Sequence, residues 1–151
     1  MFVIRLRLDS FEVSSNPPLH VSGSIWLEMG GRSFPDYDWS DTVLSVVGSL
    51  GAAITAARSG ETTDFYFFEG PYFGKVSPEG QGSAGPMVRV TGVCDRTPPG
   101  EKNGGVVEAE AVVSLADLEN VYVQCVQDLH TWAEEHGHTE MTALLSQKYS
   151  L

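Results

Sequence analysis

Basic residues are scarce in this chain. Nine Lys and Arg stand against twenty Asp and Glu, which gives a formal net charge of −11. Nucleic acids and anionic membranes repel such a surface, so we expect neither as a partner, whereas a basic protein surface is attracted to it. The same acidity is also an ordinary way of keeping a protein soluble.

Cysteines and long hydrophobic runs are scarce as well. Cys94 and Cys125 are too few for a disulfide framework and are not spaced as a metal-binding pair, so we expect reduced, half-buried thiols. No stretch approaches the roughly twenty apolar residues of a membrane span, and the first residues lack the apolar core of a signal peptide. These absences predict a cytoplasmic protein.

Catalytic signatures are incomplete. The chain has no Gly-x-Ser-x-Gly elbow, and its glycine-rich stretches lack the Lys-Ser/Thr pair of a phosphate-binding loop. Asp36, Asp38 and Asp41 follow an Asp-x-Asp-x-x-Asp spacing without the glycine and distal glutamate of a calcium loop. We therefore predict no catalytic residue, no metal and no cofactor.

Cysteine and histidine side chains also cluster near the C-terminus, and zinc binds such groups, so their spacing is compared with that of a metal site. Cys125 and His130 are five positions apart on a predicted helix, about 140 degrees round from each other. The other two histidines straddle Gly137, which is expected to end that helix. We interpret the group as a chance cluster at a helix end; its members are Cys125, His130, His136 and His138.

The chain has enough apolar residues to form one folded core, since 42 % of its residues are hydrophobic and 10 % are aromatic. At this length, residues 1–151 are expected to form a single domain. Period-two alternation predicts strands, and a period near 3.6 predicts helices. The predicted strands are 2–9, 19–29, 32–34, 62–68, 72–76, 87–94 and 106–113. The predicted flexible loops are 77–86 and 95–105. The predicted helices begin at Trp39 or Ser40, after Ser114 and at Thr139.

This order favours an α+β fold, an antiparallel sheet of about six or seven strands with one central helix and two C-terminal helices packed on it. Asp38 or Ser40 is expected to cap the central helix. Gly48 and Gly51 inside that helix predict close approach of a neighbouring element. Trp26 falls on the polar face of its strand, so it either packs under a loop or is exposed for binding.

Two segments combine aromatic and acidic residues, residues 34–41 and 65–73. Aromatic rings supply contact area and carboxylates attract basic partners, so both segments suit protein recognition. The run 65–68 is equally typical of a buried strand, and core is the preferred interpretation there. The candidate partner-binding residues are Asp36, Tyr37, Asp38, Trp39, Asp41, Glu69 and Tyr72.

These segments also carry a resemblance to a known family. They resemble the small acidic immunity proteins of bacterial polymorphic toxin systems over about residues 34–73, although Val47, Gly48 and Leu50 stand where a second tryptophan is expected. The resemblance implies a cytoplasmic, non-enzymatic protein that binds and blocks a cognate toxin domain. The residues that carry it are Phe34, Pro35, Trp39 and Asp41, then 65–68, Glu69, Gly70, Pro71 and Tyr72.

Two other readings stay open at this point. One is an uncharacterised enzyme or small-ligand protein with a pocket between sheet and helices, holding His20, Trp26 and a carboxylate. The other is a subunit whose aromatic corner forms a homodimer interface. A deep cavity would favour the first and concentration-dependent association the second.

Overall fold

A computed structural model describes residues 1–101 and 104–151. Within these residues it contains three helices and eight strands in two four-stranded antiparallel sheets, so the α+β class is confirmed. The strands are β1 (Phe2–Ser14), β2 (His20–Met29), β3 (Arg32–Phe34), β4 (Ser40–Thr42), β5 (Thr63–Tyr66), β6 (Tyr72–Gly82), β7 (Gly85–Cys94) and β8 (Val106–Ser114), and the helices are α1 (Val43–Arg58), α2 (Leu115–Glu135) and α3 (Thr139–Lys148).

The first sheet is built around β2. One edge of β2 pairs with β1, and the other edge is shared by two short strands, β3 near its end and β4 near its start. Gly30 and Gly31 take positive φ angles in the β2–β3 turn, as a tight hairpin requires. Together β3 and β4 occupy this edge of β2.

The remaining strands form a second sheet, in the order β5-β6-β7-β8. The prediction of one sheet with six or seven strands is wrong on this point. The strand that sequence patterns missed is β4, a polar stretch of three residues. It pairs with β2 in a register that places Asp41 opposite Gly23. Period-two alternation cannot reveal a strand that short.

The predicted flexible loop 77–86 is also wrong. Strands β6 and β7 continue through it as a paired ribbon, and only Ser83 and Ala84 remain for the turn between them. Gly80 lies at a register shift in β6 with a φ of 96°, a conformation in which glycine is favoured. The loop predicted at 95–105 leads from β7 to β8; its residues 102 and 103 lie outside the described residues.

Helix α1 begins later than predicted. Its N-cap is Thr42 rather than Asp38 or Ser40, because residues 40–42 are extended in β4. Helix α2 begins as predicted, where the Ser114 hydroxyl accepts a hydrogen bond from the Asp117 backbone N–H at 3.1 Å. Past its end, Gly137 has a φ of 72°.

One cluster of buried residues joins both sheets and the three helices. In α1 it includes Leu50 and Ile54, which are almost fully buried, and in α2 it includes Leu118 and Leu129. No helix in the described part of the chain combines the length and the apolar character that crossing a membrane needs.

The two helix glycines differ in what surrounds them. A Cβ at Gly51 would overlap the hydroxyl of Tyr122, a buried side chain of α2, so the close approach expected there is confirmed. Burial raises the pKa of this Tyr122 hydroxyl. A Cβ at Gly48 would lie 3.4 Å from the Tyr149 ring, an ordinary contact.

We expect the two corresponding alanine variants to change stability in opposite directions. Gly51→Ala forces the Tyr122 ring to shift and should lower the free energy of unfolding by about 1–3 kcal/mol. Gly48→Ala should raise it by up to about 1 kcal/mol, because alanine is the better helix former. Urea unfolding followed by tryptophan fluorescence measures both; a shift of the same sign and size in the two variants would contradict this account.

Candidate functional site

Asp41 is the centre of the candidate site. Its side chain is only 3 % exposed. Its two oxygens accept hydrogen bonds from the Trp39 indole Nε1–H at 2.9 Å and from the Thr42 backbone N–H at 2.7 Å. They also accept hydrogen bonds from the backbone N–H groups of Phe68 and Glu69, each at 3.1 Å. One carboxylate therefore joins the two segments that the sequence singled out.

Local structure explains why this carboxylate points inward. Pairing of β4 with β2 places Asp41 opposite Gly23, and α1 begins two residues later. The turn after β5 then presents consecutive N–H groups that have no strand partner to bind. A carboxylate with several oxygen lone pairs can satisfy all of them at once.

Aromatic rings pack around this junction. The Trp39 and Tyr72 ring centroids are 5.1 Å apart in an edge-to-face arrangement, and Phe34 packs edge-on against both Phe67 and Tyr72 at 5.7 Å. A Cβ at Gly70 would come within 3.2 Å of both the Trp39 and the Tyr72 rings. Glycine is therefore favoured at position 70 for two reasons. A side chain there would press against the two rings, and the φ of 71° is a conformation that glycine adopts readily.

The preceding loop, residues 35–39, folds over the outer face of the first sheet. Tyr37 lies edge-on against Trp26 with ring centroids 5.2 Å apart, and it remains 71 % exposed. Trp26 itself is 6 % exposed, so of the two expectations for it, packing under a loop is confirmed. Its indole N–H has no hydrogen-bond partner among the described residues.

Asp38 connects this loop to β1. The Arg7 Nε atom lies 2.9 Å from Asp38 Oδ1, an ion pair without the alignment of a hydrogen bond. Both side chains are partly exposed, so the pair contributes little to stability. Asp38 has a φ of 57°, a conformation that an aspartate adopts more readily than most residues.

We call residues 36–41 together with 68–72 the acidic corner. Of the candidate residues, the structure brings Trp39, Asp41, Glu69 and Tyr72 into one contact group, and Asp36, Tyr37 and Asp38 lie on the adjoining loop. Asp36, Tyr37 and Glu69 are exposed, Asp38, Trp39 and Tyr72 are half-buried, and Asp41 is buried.

Sequence reasoning missed one exposed member of the acidic corner. The run 65–68 was interpreted as core, and this is correct for Phe65 and Phe67. Phe68, however, is 53 % exposed, and Tyr66 also faces solvent. Alternation of buried and exposed positions along 65–68 was the signal that could have separated Phe65 and Phe67 from Tyr66 and Phe68.

The C-terminal histidines have a packing role in the structure. Trp132 stacks on His136 with ring centroids 4.6 Å apart and on His138 at 5.2 Å, and His130 contacts Glu134 at 2.7 Å. Within residues 1–101 and 104–151, no group of three or more His, Cys, Asp or Glu side chains is placed to hold a metal ion.

Both cysteines are fully rather than half buried, and both are free. Burial raises the pKa of Cys125 to about 12, with a smaller effect from the negative charge of Asp128. A thiol so far from ionisation is a poor nucleophile. His20, named for the small-ligand reading, is exposed, whereas Trp26 is buried.

We predict that Asp41→Asn destabilises the fold strongly. An asparagine turns its NH₂ group toward N–H donors and leaves at least one of them unsatisfied inside the protein, so the free energy of unfolding should fall by about 3 kcal/mol.

The matched control is Asp36→Asn. Asp36 is exposed and accepts only the Tyr37 backbone N–H, at 2.8 Å, within the described residues. Its neutralisation should change the free energy of unfolding by less than about 0.5 kcal/mol. Equal effects of the two variants in urea unfolding would show that Asp41 does not hold the junction.

No protein-family model, curated protein or solved structure matches this chain.

Proposed function

We propose that this chain is a cytoplasmic, non-enzymatic protein-binding domain, an immunity-type inhibitor whose acidic corner contacts a basic surface of a bacterial toxin domain. One observation carries the proposal. Two turns far apart in the sequence are held together by the buried Asp41 carboxylate, and together they display two aromatic rings and two carboxylates to solvent. These exposed groups are Tyr37, Phe68, Asp36 and Glu69.

The energetics of association support this use of the corner. Large aromatic side chains anchor interfaces because they bury much area while losing few rotamers. A turn that is already hydrogen-bonded loses little conformational entropy on binding. The exposed carboxylates add long-range attraction to a basic partner, on a chain with net charge −11.

The proposed inhibitor role rests on the residues that build this junction. The residues that resemble immunity proteins are those that build the junction, among them Trp39, Asp41 and Tyr72. Toxins that act on nucleic acid need basic clefts to hold phosphates. An acidic corner seated in such a cleft would both neutralise its charge and block access of the nucleic acid.

Capture experiments test this proposal. The tagged chain, incubated with a lysate of its host at low salt, should retain a basic protein in stoichiometric amount and release it at high salt. The retained protein should be an enzyme that is inactive in the complex and active once released. Retention of a protein whose activity is unchanged in the complex would exclude the inhibitor role.

A matched pair of variants locates the interface. Asp36→Asn with Glu69→Gln should lower the association rate constant for the captured protein about tenfold at low salt, because carboxylates at the contact steer encounter. Glu12→Gln with Glu61→Gln removes the same two charges from exposed positions elsewhere and should change the rate less than about twofold. If both double variants slow association equally, the acidic corner is not the interface.

A further inference from the structure

The strand β1 has a free edge. It pairs with β2 in unbroken register from Phe2 to Arg7, and no other strand in the described residues pairs with it. The register shifts between Arg7 and Glu12, so the regular part of the edge ends there. Unpaired N–H and C=O groups along such an edge can bond to another extended chain.

A groove runs between this edge and helix α2. Its volume is about 510 Å³. Its apolar lining is half-buried rather than covered, and the buried thiol of Cys125 lies among the lining residues. We call it the β1–α2 groove; its apolar residues are Val3, Ile4, Leu6, Leu8 and Val121.

The helix side of the groove carries polar residues at four-residue spacing, which places Asn120, Gln124 and Asp128 in one row along α2. The Gln124 amide donates a hydrogen bond to Asp128 Oδ1 at 2.8 Å. Asp128 forms no ion pair within the part of the chain that the structure describes. The cation on the strand side, Arg5, already contacts Glu28 at 3.5 Å.

We propose that the β1–α2 groove binds an extended segment of a partner protein, which adds a strand to β1. Residues 3–8 of β1 extend over about 17 Å, enough to pair with about five residues of such a segment. Every second side chain of the segment enters the groove; these are apolar except for one basic side chain, which approaches Asp128. Clefts between an edge strand and a helix are suited to this mode, because the backbone supplies affinity and the lining supplies specificity.

Charge favours a partner segment over a second copy of this chain. Two copies, each with net charge −11, repel each other. Arg5 and Arg7 pair with Trp26 and Ser24 of β2, so both arginines lie on the same face of the sheet. Antiparallel pairing of two β1 strands would bring the arginines of both copies together on that face, where like charges repel. The site is separate from the acidic corner, so it stands whether or not the proposed inhibitor function holds.

Two synthetic probes test the proposal on the intact chain. One is a capped hexapeptide, Val-Thr-Val-Thr-Lys-Thr, whose two valines and lysine share one face of a strand and alternate with threonines, and the other has the same composition with its valines grouped. The alternating peptide should bind at least tenfold more tightly. In ¹⁵N-resolved NMR spectra, its binding should shift the backbone amides of residues 2–8 and 120–128.

Variants of α2 separate this site from general attraction of lysine to an acidic protein. Gln124→Trp fills the groove from an exposed helix position and should weaken the alternating peptide at least tenfold. Asp128→Asn should weaken it about threefold to tenfold and reduce its salt dependence. Glu135→Gln removes one charge from the exposed end of the same helix and should leave the affinity within twofold.

Several results would overturn the proposal. These are equal affinity for the two peptides, amide shifts confined to the acidic corner, or undiminished binding by a folded Gln124→Trp variant. Sedimentation that shows a dimer, dissociated by Gln124→Trp, would assign the groove to a second copy instead.

Discussion

The buried carboxylate of Asp41 is the interaction on which the arrangement of the two sheets depends. It connects β4 and the start of α1 to the turn between β5 and β6, and so one residue links both sheets to the helix between them. Removing a carboxylate from water is costly unless its oxygens are hydrogen-bonded. Here four N–H donors replace water, one of them the indole of Trp39. The geometry at this point is therefore set by electrostatics as well as by packing.

This arrangement divides the acidic corner into residues that build it and residues that it displays. Trp39 donates a hydrogen bond inward and packs on Tyr72, so its truncation would disturb the junction as well as any contact with a partner. Loss of binding in such a variant would not separate the two causes. The side chains of Glu69 and Phe68 project from the finished junction, so contact with a partner can be tested there without disturbing the fold, whereas Tyr37 also packs on Trp26.

Local patterns were enough to predict the longer elements. Alternation identified most strands, and Ser114 and Gly137 marked the ends of α2. The pairing of β4 with β2 could not be predicted, because the strand is only three residues long and polar and its partner is distant in the sequence. The division into two sheets could not be predicted either, because local patterns do not show which strands pair. Composition was enough to single out the two segments that combine aromatic and acidic residues. Only the folded chain shows that the Asp41 carboxylate of one segment faces the backbone N–H groups of the other.

The acidic corner and the β1–α2 groove meet at one strand. Arg7 of β1 contacts Asp38 of the corner, and Arg5, two residues away, lines the groove and contacts Glu28. A strand added along β1 would therefore touch the element that supports Asp38. Exposed ion pairs of this kind contribute at most about 1 kcal/mol, so coupling carried by them would change affinity at the other site by no more than about fivefold. The two proposed surfaces are consequently expected to act nearly independently, so a partner that contacted both would gain affinity from their combination.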